Sequence, residues 1–233
     1  MSTNTTEISK IWKYILLIAC ALLMIGPILI ILLTALKTPE ELQVQSYQFL
    51  PKHWRFQNFI EALSKGDWAR YYYNSFIVTV VAVVGSLLLN SLAGYSFARL
   101  NFKYRNLLFF FFLVGIMIPP QSIIIPQFII LKSIPLFGGN NFLGQGGRGL
   151  LNTHAALIIP ELSGSFGIFL CRQFYLGFPT SLDEAAKIDG ASSFLTYIKI
   201  FLPLSGPVLA TLTILKTVHM WNNFFFPLND IRS

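Results

Sequence analysis

Charged residues are scarce in this sequence. Asp, Glu, Lys and Arg make up 12% of its 233 residues, whereas a soluble domain carries about 25%. Hydrophobic residues reach 54%, and the mean hydropathy is +0.61. The apolar residues form long blocks without charge, and not the alternating or amphipathic patterns of a water-exposed fold. The composition therefore excludes an ordinary soluble domain and predicts a polytopic membrane protein.

Groups that carry chemistry are equally sparse. Cys20 and Cys171 have no metal-type spacing and are interpreted as small apolar packing residues. His53, His154 and His219 lie far apart and are assigned no chemistry. The sequence has no GxxxxGK[ST] phosphate loop, metal-ligand cluster, nucleophile elbow or paired catalytic carboxylates. We expect no catalytic residue, metal ion or bound cofactor in this chain.

Long apolar blocks predict the membrane spans. A helix needs roughly 20 apolar residues to cross a bilayer. The first block has 23 residues without a charge, too long for the core of a signal peptide, so it is expected to remain as a span. The fifth block is short and marginal. The predicted spans are residues 14–36, 74–98, 106–131, 153–171 and 204–218.

Basic residues predict the orientation of these spans. Lys10 and Lys13 precede the first span, and three basic residues crowd the connection between the second and third, so both places are expected to be cytoplasmic. The net charge of +7 is otherwise scattered singly, which argues against a nucleic-acid partner. Alternation then places residues 1–13 and 172–203 inside, and residues 37–73 and 132–152 outside.

Two segments are unsuited to continuous helix. Pro119, Pro120 and Pro126 remove backbone donors within the third span, so its helix is expected to break there. A kinked packing helix and a pore-lining break both remain open as explanations. The Gly- and Asn-rich residues 132–152 are expected to form a surface loop.

The segment 172–203 is the most informative part of the sequence. Ser181 and Glu184 have capping-box spacing, which predicts a helix from Leu182, and Gly190 is expected to stop it after two turns. Ser192 or Ser193 is expected to cap a second helix, which runs to about Leu202 before a bend at Pro203. One face of the first helix would be narrow and suited to close docking: Leu182, Ala185, Ala186 and Asp189.

These residues carry a resemblance to a known family. EAAKIDGASSFLTYIKIFLP resembles, without a gap, the EAA loop of permease subunits of binding-protein-dependent ABC importers. Shorter stretches are similar to the carbohydrate-uptake branch, namely its maltose-type small permease: LKTPEE, NSFIVT, AGYSFARLNFKYR, MIPPQ, FGIFLCRQF and MWNNFFFPL. We call residues 172–203 the EAA loop. Its motif anchors are Glu184, Ala185, Ala186, Gly190, Ile200, Leu202 and Pro203.

The resemblance implies a fold and a set of partners. The fold would be the all-α, type I (MetI-like) permease bundle over residues 14–233, in a bacterial inner membrane. Five spans are visible, and a sixth, which this branch usually has after its Trp-Asn motif, would be missing. The partners would be a second homologous permease, two ATPase subunits that hold ATP and Mg, an extracytoplasmic solute-binding protein and membrane lipid.

The resemblance also implies a coupling role for the first helix of the EAA loop, which in this family docks on an ATPase. The implied coupling residues are Leu182, Asp183, Glu184, Ala185, Ala186, Lys187, Asp189, Gly190 and Ala191, with Ile200, Leu202 and Pro203 as anchors. Glu184 could equally serve as a capping residue.

Candidate substrate-path residues come from the spans themselves. Glu161 is the only acid in the fourth span and should face the bundle interior, a cavity or a partner. Asn222 and Asn223 offer amide groups to sugar hydroxyls, and Trp221 could stack on a sugar or anchor the membrane interface. Pro119 and Pro120 could leave carbonyls facing a cavity. The cargo could instead be a sugar phosphate or polyamine, and a secondary transporter or a membrane enzyme are the other functional classes.

Overall fold

The computed structural model describes residues 3–43, 48–224 and 226–227, and within them it contains helices and no strand. The helices are α1 (Thr3–Ala35), α2 (Pro39–Gln43), α3 (Gln57–Ser64), α4 (Trp68–Arg99), α5 (Arg105–Met117), α6 (Pro120–Lys132), α7 (His154–Ile158), α8 (Ser165–Leu176), α9 (Ser181–Ile188), α10 (Ser193–Thr196), α11 (Leu202–Leu204) and α12 (Gly206–Trp221). A 3-10 turn at Ile159–Glu161 follows α7, and a π-helical segment at Tyr197–Phe201 follows α10. The all-α prediction is confirmed for these residues.

Among these residues, three helical stretches are long and apolar enough to cross a membrane, and two sharply bent helix pairs would bring the number to five. The three are Trp12–Ala35, Trp68–Arg99 and His154–Leu176. The bent pairs are α5 with α6, at 109°, and Ser193–Leu204 with α12, at 75°. All five predicted segments therefore fall on helices, although α4 begins six residues before its predicted start. Which of them cross a bilayer stays a prediction.

The chain divides into two compact units at Ala69 and Arg70. In the first unit, α1 exposes apolar side chains around its whole circumference, as expected for a helix surrounded by lipid or by other helices. After α1 the chain turns back, because Asn58 in α3 donates to Ala35 O and Lys37 O at 2.9 and 2.8 Å. Lys37 is 5% exposed and donates to Gln48 O.

The break in the third span is confirmed and has a local cause. A residue that precedes proline is driven out of the helical region. Ile118 and Pro119 each precede a proline. Both have extended backbone angles, with ψ of 120° at Ile118 and 131° at Pro119. Helix α6 can then start at Pro120, where a missing N–H costs little. Pro126 lies inside α6.

The residues between α6 and α7 form a loop, as predicted, and a single side chain organises it. Asn140 donates to Lys132 O at 2.7 Å and to Ile134 O at 2.9 Å. Its Oδ1 accepts from Gly147 N at 2.7 Å. Asn140 is 8% exposed. Its buried side chain forms a small polar centre around which the loop folds.

The second unit is organised around the crossing of α4 and α8. A Cβ atom added to Gly94 would lie 2.4 Å from Cys171 Cβ and 2.9 Å from Arg172 N, so the two backbones meet where only glycine fits. One turn away, Gly167 lies directly under Asn90. Asn90 Oδ1 accepts from Gly164 N at 3.0 Å and satisfies the backbone at the break before α8. Cys171 is completely buried, as its packing role predicts.

Gly94→Ala is expected to destabilise the protein, because the clash at this position is with a neighbouring backbone that cannot move aside cheaply. Overpacking of this kind costs about 1–3 kcal/mol. The melting temperature of the detergent-purified chain measures the effect. Gly206→Ala is the matched control, since no atom lies within 4 Å of its added Cβ. An equal melting temperature for Gly94→Ala and the wild type would contradict the proposed packing.

Candidate functional site

Helix α9 lies at the start of the EAA loop motif, and its N-terminus is not built as predicted. Ser181 is already inside the helix, and the residue at the cap, Thr180, makes no capping side-chain hydrogen bond. The capping box of Ser181 with Glu184 is therefore wrong. The helix starts at Ser181, one residue earlier than predicted, and the backbone of Thr180 before it is already helical. Ser181 therefore lies inside the first turn and not at the capping position.

The C-terminal end of α9 agrees with the prediction. Gly190 has φ of +72°, the left-handed conformation that favours glycine. Ala191 N donates to Ala186 O at 2.9 Å, and Gly190 N donates to Lys187 O at 3.1 Å. These two bonds form the Schellman motif that ends a helix. Gly190 therefore stops α9 after two turns.

The second half of the EAA loop is confirmed in part. Ser192 caps α10, because its Oγ accepts from Leu195 N at 3.2 Å. The bend predicted at Pro203 instead lies at Ser205, between α11 and α12. Pro203 is in the first turn of α11, where proline is tolerated. Ile200 and Leu202 pack against the core and anchor the loop there.

The faces of α9 differ from the predicted narrow face. Leu182 packs on the core of the second unit and Ala186 is 4% exposed, so both point inward. Ala186 is therefore not available for a partner to contact, and this part of the prediction is wrong. The outward face holds Ser181, Glu184, Ala185 and Ile188. Ile188, the last residue of α9, is 86% exposed.

The inward side of α9 is held by an arginine that sequence reasoning used only for orientation. Arg99, the last residue of α4, lies 2.9 Å from Asp183 Oδ2, and its side chain is 6% exposed. It also donates to Phe178 O at 3.1 Å and to Pro179 O at 2.7 Å. A cavity of about 460 Å³ beside this ion pair is lined by Arg99, Asp183 and Lys187, among others.

Only some of the predicted substrate-path residues lie close to one another. A cavity of about 360 Å³ lies between the start of α6 and the end of α12, and its lining includes Pro120, Gln121, His219, Asn222 and Asn223. Three of the six predicted residues therefore share one cavity.

The other three lie elsewhere. Pro119 is the cap residue of α6. The ring of Trp221 packs near Tyr72, with centroids 6.4 Å apart. Glu161 lies in the 3-10 turn after α7 and lines neither the α6–α12 cavity nor the neighbouring one described next.

Glu161 forms an ion cluster with two residues of α12. Lys216 Nζ donates to Glu161 Oε2, and His219 Nε2 lies 3.5 Å from Glu161 Oε1. Glu161 and Lys216 are each 18% exposed. His219 lines the α6–α12 cavity and also a second cavity of about 400 Å³ that Asn90 and Lys216 line.

Sequence reasoning missed the partners of Glu161, although a signal was present. An acid within a span requires a partner, and Lys216 is the only basic residue in the predicted fifth span. Positions 216 and 219 are three residues apart on α12, so their side chains share one face of the helix. His219, which was assigned no chemistry, thereby links Glu161 to the cavity.

Comparison with known families decides the identity of the chain. Residues 86–229, more than half of the sequence, match the family described as "Binding-protein-dependent transport system inner membrane component". The chain belongs to this family. The predicted resemblance is therefore confirmed, and the chain is an inner-membrane transport permease. The match runs from Ser86, within α4, through the EAA loop to the end of α12 and beyond.

Similar proteins include three curated relatives of this family. The permease protein AraQ of the arabinooligosaccharides transport system of Halalkalibacterium halodurans is 33% identical, over 91% of this chain and 72% of AraQ. AmyC of Thermoanaerobacterium thermosulfurigenes, a probable permease for starch degradation products, is 33% identical, over 92% and 74%. MsmG of Streptococcus mutans, a multiple sugar-binding transport system permease, is 31% identical, over 95% and 76%.

A solved structure confirms the permease fold. A chain of a bacterial ABC transporter involved in import of the acidic polysaccharide alginate matches with a TM-score of 0.79. The match covers 100% of this permease and 78% of the solved chain, at 24% identity. The predicted fold class, the all-α bundle of an ABC importer permease, is confirmed.

Glu161→Gln is expected to destabilise this permease, because it leaves the Lys216 ammonium buried without its counter-ion. Breaking a buried pair costs about 3 kcal/mol, whereas replacing both partners by neutral groups can be nearly neutral. The double variant Glu161→Gln/Lys216→Met should therefore melt closer to the wild type than the single variant does. The measurement is thermal unfolding in detergent, and a double variant less stable than Glu161→Gln would contradict the pairing.

Proposed function

We propose that this permease is the membrane subunit of an ABC importer that carries a carbohydrate, most simply an oligosaccharide, and that α9 receives the work of ATP hydrolysis. The observation that carries the proposal is the outward face of α9. A short helix, closed by Gly190, presents one large exposed apolar residue, Ile188, at its tip. An apolar tip of this kind, outside the predicted spans, is suited to burial in a pocket of a partner protein.

The shape of this face suits a groove on an ATPase subunit. Ala185 and Ser181 are small and Glu184 offers one charge, so the helix can approach closely while Ile188 fills a pocket. ATP and Mg would be held by two such ATPase subunits, and this chain would hydrolyse nothing alone. The remaining partners would be a second permease and an extracytoplasmic binding protein, with the EAA loop and the N-terminus cytoplasmic.

The cargo is proposed from the relatives together with the chemistry of the α6–α12 cavity. The names of the three relatives refer to arabinooligosaccharides, starch degradation products and multiple sugars. The cavity offers amide groups of Gln121, Asn222 and Asn223 and the imidazole of His219. Amides both donate and accept hydrogen bonds, as sugar hydroxyls require.

The charges near this cavity favour a neutral cargo over the two charged alternatives. A sugar phosphate needs a cation that is not already neutralised, and a polyamine needs such a carboxylate. Lys216 and Glu161 instead neutralise each other. Because Lys216 and Glu161 pair with each other, neither adds an uncompensated charge beside the cavity. A polar lining without such a charge suits a polyhydroxyl compound better than a sugar phosphate or polyamine.

Ile188→Ala is expected to weaken docking of the ATPase. Loss of a buried apolar anchor costs about 2 kcal/mol, which is ~30-fold in affinity. The measurement is the amount of ATPase that co-purifies with the tagged permease from membranes of the native host. Ala185→Trp, which enlarges the same face, should have a similar effect.

The matched control for this experiment is Ile214→Ala, because Ile214 is also exposed, at 65%, but lies on α12. It should retain the ATPase. Absence of any ATPase with the wild-type permease would rule out the importer, and equal loss from Ile188→Ala and Ile214→Ala would rule out α9 as the docking face.

Asn222→Ala is expected to slow sugar uptake by about 10-fold, because one hydrogen bond to a hydroxyl is lost in the cavity. Cells that express the complete transporter would be tested with radiolabelled arabino- and malto-oligosaccharides, a sugar phosphate and spermidine. Asn106→Ala is the control, since Asn106 lies at the start of α5 and not in this cavity. Uptake of spermidine or the sugar phosphate alone would overturn the proposed cargo.

A further inference from the structure

Three side chains of α4 form hydrogen bonds with the EAA loop. They lie on the same face of α4, one helical turn apart. Ser91 Oγ lies 2.6 Å from the Tyr197 hydroxyl, and both groups are buried. The Tyr95 hydroxyl donates to Ser193 O at 3.2 Å. Arg99 completes the row with its bonds to the chain before α9 and to Asp183. We call Ser91, Tyr95 and Arg99 the α4 row.

Arg99 makes the strongest of these contacts. One guanidinium group meets two carbonyl oxygens and a carboxylate, and such charge-assisted bonds are roughly twice as strong as neutral ones. The guanidinium also lies over the ring of Phe201, 5.1 Å from its centroid. Since Phe201 belongs to the π-helical segment, a single residue of α4 contacts both ends of the EAA loop. A lysine could supply the charge but not this geometry.

Aromatic rings pack beside these bonds. The Tyr95 ring lies 5.3 Å from the Tyr197 ring and 5.0 Å from the Phe201 ring, measured between centroids. Tyr95 is 2% exposed and Phe201 is completely buried. These ring contacts hold the π-helical segment against Tyr95 of α4.

The covalent connections of α9 are less rigid than this contact. Before α9 the chain passes Gly177, and after α9 it passes the left-handed Gly190. Glycine has more backbone freedom than any other residue. Backbone rotation at these two glycines can absorb displacement of α9, whereas the side-chain bonds of the α4 row hold the loop directly to α4.

We infer that the α4 row is the rigid link through which movement of α9 reaches the spans, with Arg99 as its positioning residue. This inference rests on the proposed function, since it assumes that an ATPase moves α9. The α4 helix then moves together with the EAA loop, and α8 follows because Gly94 locks α4 against it.

The test uses the complete transporter with its native binding protein in proteoliposomes. Arg99→Gln should leave the co-purified ATPase and its basal hydrolysis near wild type, because the outward face of α9 is unchanged. A binding protein outside the membrane can act on the ATPase only through the spans and α9, so a weakened link between α4 and α9 should lower its stimulation of hydrolysis. We expect the ratio of stimulated to basal hydrolysis to drop by roughly 5- to 30-fold, measured with the sugar that the uptake experiment selects.

Milder variants keep the test informative if Arg99→Gln folds poorly. Tyr95→Phe removes one hydroxyl and should lower the same ratio by a smaller factor, and Arg99→Lys should restore part of it. Arg105→Gln is the matched control. Arg105 lies six residues away and donates only locally, to Leu100 O and Asn101 Oδ1, each at 3.1 Å.

The outcomes separate this inference from the proposed function. A wild-type chain that brings down no ATPase removes both. A functional wild type whose Arg99→Gln and Tyr95→Phe variants keep the full stimulation ratio overturns the rigid link alone. A parallel fall in melting temperature, ATPase recovery and basal hydrolysis also overturns it, because Arg99 would then act only in folding.

Discussion

Close packing of α4 against α8 is the contact on which the second unit depends. It places Gly94 against the backbone of Cys171 and Arg172, and it brings Asn90 within reach of the break before α8. Broken helices in a membrane need partners for their freed backbone groups. Because α4 also carries Arg99 at its end, the same helix supports both the interior of the bundle and the EAA loop.

Features with a local cause could be predicted from the sequence, whereas features that depend on distant residues could not. The break at Pro119, the stop at Gly190 and the cap at Ser192 each follow from the chemistry of one or two neighbouring residues. The inward direction of Ala186 and the bend at Ser205 depend on packing against other helices. Arg99 bonds Phe178, 79 residues away, and nothing in the local sequence indicates that partner.

The ion cluster at Glu161 shows how a span can contain charged groups and still present a neutral cavity. Glu161 is expensive to bury, and Lys216 reduces that cost through charge pairing. His219 then extends from the pair to the cavity wall, where it can hydrogen-bond without carrying the main charge. Glu161, a candidate path residue, therefore lies behind the wall of the α6–α12 cavity, and His219 lies at its surface.

The loop centred on Asn140 has a consequence for the order of assembly. Its side-chain bonds join residues at most eight positions apart, so closing the loop costs little chain entropy. Chains are made from the N-terminus at about 5–20 residues per second, and this loop can take its final form before α8 exists. The bonds of Arg99 must wait for residues 178–183. Synthesis therefore allows the hydrogen-bonded turn after α6 to form first, and the joint between α4 and α9 forms later.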